Sequence, residues 1–192
     1  MKILCLLGSP RRKGNSATVA ARLMERAAEL GAEVETIYLN ELSYKGCQGC
    51  YACKTGSEVC VIKDDLAPVL EKVKQADALV LASAVYYGDI TAQLKGFIDR
   101  TFSYLKPDYH ARPDRSRLET GKGLAMILIQ WHPDENSFAD IFQRYDAFFK
   151  WYGFRPGHLL RGLGISDRSD VTKRDYLMNG ALEVAEKLVR GE

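Results

Sequence analysis

The chain has 192 residues, 46% of them hydrophobic, which suits one compact domain or one domain with a long insertion. Its 27 basic and 25 acidic residues leave a net charge of +2, so neither nucleic acid nor an anionic membrane is an expected partner. The opening run MKILCLLGSP has too few apolar residues for a signal-peptide core or a membrane span, and a cytoplasmic protein with reduced thiols is expected.

Residues 3–7 form a continuous apolar run, the pattern of a strand covered on both faces. A loop rich in Gly, Ser, Pro and Arg follows, then a helix over 16–30 with the stripe Val19, Leu23, Ala27 and Leu30, closed by Gly31. Residues 34–39 alternate as a second strand, and a cysteine loop spans 43–63. Asp64 or Asp65 then caps a helix carrying Leu66, Val69, Leu70 and Val73 on one face. Residues 78–82 (ALVLA) read as a third buried strand, 84–89 as a loop and 91–104 as a helix. The polar stretch 106–122 is too long for a plain connection and is expected to be functional or part of an interface. Residues 124–129 make a fourth strand, 138–152 an aromatic-rich helix, 158–165 a weaker fifth strand and 171–189 a closing helix. Strands alternating with helices predict an α/β fold, a doubly wound five-stranded parallel sheet with helices on both faces, over one domain spanning 1–192.

Ligands of such a sheet bind beyond the carboxyl ends of its strands. The loop after the first strand offers Gly8 and Gly14 for close backbone approach, Ser9, Asn15 and Ser16 as short donors, and Arg11 as a planar cation. Free N–H groups at the start of the next helix stabilise an anion there, so a terminal phosphate suits the loop. It is neither a Walker A loop nor a Gly-x-Gly-x-x-Gly fingerprint. The competing reading is an ordinary turn with solvated arginines. At the same edge, Ala84-Val85-Tyr86-Tyr87-Gly88-Asp89 supplies flat apolar surface and backbone donors, as a flavin ring requires. The alternative is that Tyr86 and Tyr87 pack on a helix. Trp131 follows the fourth strand and either flanks the ring or touches no ligand.

Cys47, Cys50, Cys53 and Cys60 fall within CQGCYACKTGSEVC. Four thiolates at this spacing can ligate a 4Fe-4S cluster. A zinc site, disulfides and thiols that bind nothing are the alternatives, with disulfides disfavoured in a reducing compartment. Cys5 reads as a buried core residue. His110, His132 and His158 are scattered without metal spacing, and no catalytic side chain is nominated because a flavin carries its own chemistry. Asp99-Arg100 reads as a structural or helix-surface pair. The stripe Phe138, Phe142, Tyr145, Phe148, Phe149 and Trp151 reads as core or dimer surface.

GSPRRKGNS, the Cys-x2-Cys-x2-Cys run, KDDL, ASAVYYGDITAQLKGFIDRT and the element order resemble the flavodoxin-like NAD(P)H-dependent FMN reductase superfamily. The full cysteine spacing most resembles the iron–sulfur flavoproteins of anaerobic microbes, and the likeness is close over about residues 1–105. It implies that Ser9, Arg11, Asn15 and Ser16, with Gly14, hold the FMN phosphate. Ala84, Val85, Tyr86, Tyr87 and Gly88, with Asp89 beside them, would line the isoalloxazine. Ala84 departs from the proline usual in relatives. The resemblance further implies an FMN-dependent oxidoreductase passing electrons between ferredoxin or another small redox protein, a 4Fe-4S cluster on the four cysteines, FMN and a small-molecule acceptor. NAD(P)H enters as a donor through the resemblance alone. A homodimer or homotetramer is implied, with 106–122 as a candidate contact. The runner-up functions are an NAD(P)H-dependent FMN or quinone reductase without a cluster, a flavodoxin-like electron carrier, and a phosphate-binding regulatory domain without flavin.

Overall fold

The computed structural model describes residues 1–167 and 170–192. Strands β1 (Lys2–Leu7), β2 (Glu33–Tyr38), β3 (Ala78–Tyr86), β5 (Gly123–Ile129) and β6 (His158–Gly162) pair in parallel in the order β2-β1-β3-β5-β6. β4 (Asp89–Ile90) pairs antiparallel with the end of β3. This is the flavodoxin-like order, and its direction reverses between β1 and β3.

Alternation along each buried strand sends successive side chains to opposite faces. Leu4 and Leu6, Leu79 and Leu81, and Leu124, Met126 and Leu128 join one core with α3 (Leu66–Gln75), α4 (Ala92–Arg100) and α5 (Asp140–Trp151). Ile3, Cys5 and Leu7, Val80 and Ala82, and Ala125 and Ile127 join the other with α1 (Asn15–Glu29) and α6 (Asp175–Arg190). Cys5 is fully buried, and burial pushes its thiol up to about 12 despite a hydrogen bond with Thr36, so it stays a neutral core residue.

Three expectations need correction. Residues 84–89 are not a plain loop: β3 continues to Tyr86, turns through Tyr87 and Gly88, and returns as β4. Tyr87 and Gly88 take φ of 49° and 81°, the conformation of a two-residue hairpin turn. The fifth parallel strand stops at Gly162, where an added Cβ would meet Ile165 at 2.5 Å. The helix expected over 91–104 ends at Arg100 and tightens into a 3-10 turn, Thr101–Tyr104.

Candidate functional site

A cleft of about 280 Å³ opens at the carboxyl edge of the sheet, beside the β1/β3 reversal. One wall is the loop after β1. Gly8 passes so close to α4 that a Cβ there would lie 2.6 Å from Thr91 Oγ1. Ser9 is buried, and its Oγ accepts the Arg11 N–H at 3.2 Å, while the Gly14 N–H donates to the Arg11 carbonyl at 3.1 Å. Gly14 therefore folds the loop back and stands as the N-cap of α1, with no side chain to cap it. The first-turn N–H groups carry no side-chain cap and no acidic neighbour, which suits an anion. Asn15 does a second job: its Nδ2 donates to the Asp167 carbonyl at 2.7 Å, tying the loop to the chain beyond β6.

Ala84, Val85 and Tyr86 form the facing wall, and Trp131 stands at the mouth. Tyr87, Gly88 and Asp89, expected at the ring, do not line the cleft. The hairpin turn carries Tyr87 away from it into full exposure. Asp89 instead anchors the hairpin to α5: its carboxylate accepts from the Ile90 N–H at 2.7 Å, Tyr145 OH at 2.9 Å and Arg144 Nη1 at 3.3 Å. Burial raises the Asp89 carboxyl, but these donors outweigh it and hold it below the usual carboxylate range.

Ile129, Ile165 and Ser166 also line the cleft and escaped the sequence reading. The signal available was position, because they end or follow the last two strands at the ligand edge. The Trp131 loop is held from below by Gln130, which is buried. Gln130 Nε2 donates to the His132 carbonyl at 2.9 Å, and its Oε1 accepts from Arg161 Nη2 at 2.8 Å.

Cys47, Cys50, Cys53 and Cys60 surround one small void of about 20 Å³, walled by Ile62, Arg100 and Phe102. All five cysteines of the chain are free thiols. Cys53 is buried on α2 (Ala52–Thr55), Cys60 is half-buried, and Cys47 and Cys50 are exposed on residues 43–51, which form no regular element. Among the described residues no three His, Cys, Asp or Glu stand close enough to hold a single metal ion. A tetrahedral zinc site, with Zn–S of about 2.3 Å, would draw its sulfurs to within about 4 Å of one another. The void has room for about one water, so a larger group needs the exposed arm to swing outward.

Three cations stand close to Cys53 and Cys60. Lys54 Nζ lies 3.5 Å from Cys53 Sγ and donates to the Phe102 and Leu105 carbonyls at 2.6 and 2.7 Å. Burial lowers its pKa, partly offset by Cys53. Arg117, in the long polar segment, donates to the Cys53 carbonyl at 3.1 Å, so that segment braces the cysteine loop within one chain. The Asp99-Arg100 expectation also changes. Asp99 pairs with exposed Lys95, whereas Arg100 is buried and reaches the cysteines, with Nε donating to Cys60 Sγ at 3.1 Å.

The thiol set and its cationic surround match the donor chemistry of an iron–sulfur cluster. The uncapped helix start and the apolar wall match a ligand with one phosphate and one aromatic end.

Residues 1–127 match the family model described as NADPH-dependent FMN reductase. An iron–sulfur flavoprotein of Archaeoglobus fulgidus is 38% identical over 104 residues, covering 54% of this chain and 47% of the relative. An iron–sulfur flavoprotein of Methanocaldococcus jannaschii is 40% identical over 101 residues, covering 53% and 52%. The chain thus spans about half the length of the curated relatives it matches. An FMN-dependent NADH-azoreductase of Bacillus anthracis, solved with FMN, superposes with a TM-score of 0.75 at 17% identity over 98% of this chain and 100% of its own, a likeness of fold. Among the described residues no helix is long and apolar enough to cross a membrane.

Proposed function

The chain belongs to the NADPH-dependent FMN reductase family, and from that premise we propose that it is an FMN-dependent oxidoreductase of the iron–sulfur flavoprotein type. It would exchange electrons with a small redox protein such as ferredoxin and deliver them to a small-molecule acceptor. The observation that carries this reading is the cleft itself. An uncapped α1 N-terminus with Ser9 and Arg11 faces the apolar wall Ala84–Tyr86 across one opening. FMN supplies one- and two-electron chemistry, and a 4Fe-4S cluster one-electron chemistry, when bound.

The protein's own part is to bind, orient and shield. Ser9, Arg11 and the first turn of α1 would fix the phosphate. Val85 and Tyr86 would lie along the ring, and Trp131 would limit water at the mouth. The cleft is at the small end for a cofactor site, and Trp131 stands exposed at its mouth. Both features support a homodimer or homotetramer in which another copy covers the ring. Cys47, Cys50, Cys53 and Cys60 would hold the cluster, a role supported by their shared void, by the surrounding Lys54, Arg100 and Arg117, and by the names of the relatives.

The small void and the unconverged thiols favour a second reading, an NAD(P)H-dependent FMN or quinone reductase without a cluster. Protein purified without air decides between them. A flavin band at about 450 nm with iron and acid-labile sulfide supports the first reading, and flavin without iron supports the second. Turnover with NAD(P)H and an artificial acceptor separates either from a simple carrier. Colourless protein that refuses added FMN overturns all of these.

A further inference from the structure

Arg100 ends α4 with its side chain wholly removed from solvent. A guanidinium has five N–H donors, and burying it is costly unless all are used. Here all five are used. Nη1 donates to the Lys45 carbonyl and to Asp64 Oδ2, each at 2.8 Å. Nη2 donates to the Ile62 carbonyl at 3.2 Å and Asp64 Oδ1 at 3.3 Å. The fifth donor, Nε–H, points at Cys60 Sγ, 3.1 Å away.

Lys45 precedes and Ile62 follows all four cysteines. One side chain therefore clasps both ends of the run that carries them and contacts one of their sulfurs. The carbonyl and carboxylate bonds account for the fold of the loop. The sulfur bond does not serve that purpose, since a thiol is a weak acceptor. The sulfur becomes a strong acceptor when it is anionic, as a cluster-bound thiolate is.

We propose that Arg100 is a positioning residue of the cysteine pocket: it fixes Cys60 and both ends of the cysteine run and, through its N–H···S bond to Cys60, raises the reduction potential of an iron–sulfur cluster held there. This rests on the cluster reading above. Hydrogen bonds to cluster sulfurs stabilise the more negative, reduced state, which is why they set potential. A lysine keeps the charge but loses the planar five-donor fork, so the charge and the directed bond are separable.

The test uses holoprotein reconstituted without air. Wild type and Arg100→Lys are compared for flavin content, iron and sulfide, and the cluster midpoint potential from redox titration followed by electron paramagnetic resonance. The expected result is retained flavin, with a cluster potential in Arg100→Lys that is more negative by at least tenfold in the one-electron equilibrium, about 59 mV. Iron-loaded Arg100→Lys with an unchanged potential overturns the proposal and leaves the cluster reading standing. Wild type that takes up no iron overturns both. Should Arg100→Lys lose its cluster or fail to fold, wild type labelled with nitrogen-15 at arginine Nε decides: pulsed resonance of the reduced cluster shows one coupled nitrogen if the bond exists, and its absence overturns the proposal.

Discussion

Thr91 and Gly8 stand 83 positions apart, and Thr91 Oγ1 donates to the Gly8 carbonyl at 2.8 Å. The Thr91 N–H also donates to Ser83 Oγ at 3.0 Å, and its hydroxyl caps α4 by accepting from Leu94 N–H at 3.4 Å. One buried threonine thus fastens the loop after β1, through its hydroxyl, to Ser83 of β3, through its N–H. Thr91→Val keeps the shape, removes the hydroxyl and leaves the Gly8 carbonyl without that partner. A loss of about 1–3 kcal/mol in stability is expected, with weaker FMN retention. Urea unfolding of the flavin-free chain and flavin titration measure the two effects, and a variant unchanged in both would disprove the clamp.

Arg11 is exposed on the phosphate loop and lines the cleft. A charged hydrogen bond to phosphate is worth about 1.5–3 kcal/mol, so Arg11→Ala is expected to weaken FMN binding about 10- to 150-fold. Added salt should narrow the gap, because an exposed cation is screened. Riboflavin, which lacks the phosphate, should bind both proteins alike. Equal losses for FMN and riboflavin would place Arg11 elsewhere than at the phosphate.

The hairpin and Arg100 mark where the sequence stopped being legible. The run ALVLA is apolar enough to announce a strand, and the glycine-bounded loop after β1 announces its own turn. The extension of β3 through Tyr86 is concealed because Tyr87-Gly88 is not the usual Asn-Gly turn and β4 has only two residues. Asp99 and Arg100 look like a pair because they are adjacent, but neighbours on a helix point apart. Asp99 turns to Lys95 in solvent, and Arg100 turns inward to Asp64, 36 residues earlier. Only tertiary packing brings Arg100 to the cysteines.

Tyr87 takes a left-handed φ of 49° while its side chain is fully exposed. A bulky residue in that region costs about 1–2 kcal/mol, which asparagine or glycine largely avoids. Tyr87→Asn is expected to raise the melting temperature of the flavin-free chain while weakening whatever the exposed ring serves, FMN retention or self-association. Calorimetry, flavin titration and sedimentation provide the three readings. A less stable variant would show that the tyrosine ring contributes more than its backbone strain costs.

Arg161 and Gln130 support the loop that carries Trp131. Arg161 Nε and Nη2 donate to Gln130 Oε1 at 3.1 and 2.8 Å, and Nη1 donates to the Glu135 carbonyl at 2.7 Å. Arg161→Ala leaves the buried Gln130 oxygen without those donors, at a cost of about 1–3 kcal/mol. The loop should loosen, giving Trp131 emission a changed maximum and flavin a faster dissociation rate. Arg161→Lys should restore part of both. Unaltered tryptophan emission in Arg161→Ala would mean that the loop is held by other contacts.

Asp64 joins Arg100 to the start of the cysteine loop, accepting from its guanidinium and from the Lys45 N–H. Burial raises its carboxyl, but Arg100 and the Lys45 and Leu66 N–H groups outweigh that and hold it below the ordinary value. A carboxyl lowered by folding contributes stability above its unfolded pKa of about 3.9, and the contribution is lost as pH falls through the lower folded value. At neutral pH, Asp64→Asn leaves Arg100 buried without its counter-ion, a loss of about 3–5 kcal/mol for a buried pair. Below about pH 4 the carboxyl of the unfolded chain protonates while the folded one stays charged, so the gap between the two proteins should narrow and then close as pH falls through the lower folded value. Urea unfolding of iron-free protein from neutral to acid pH follows that gap, and a difference constant across the range would show that the Asp64 charge does not hold the loop.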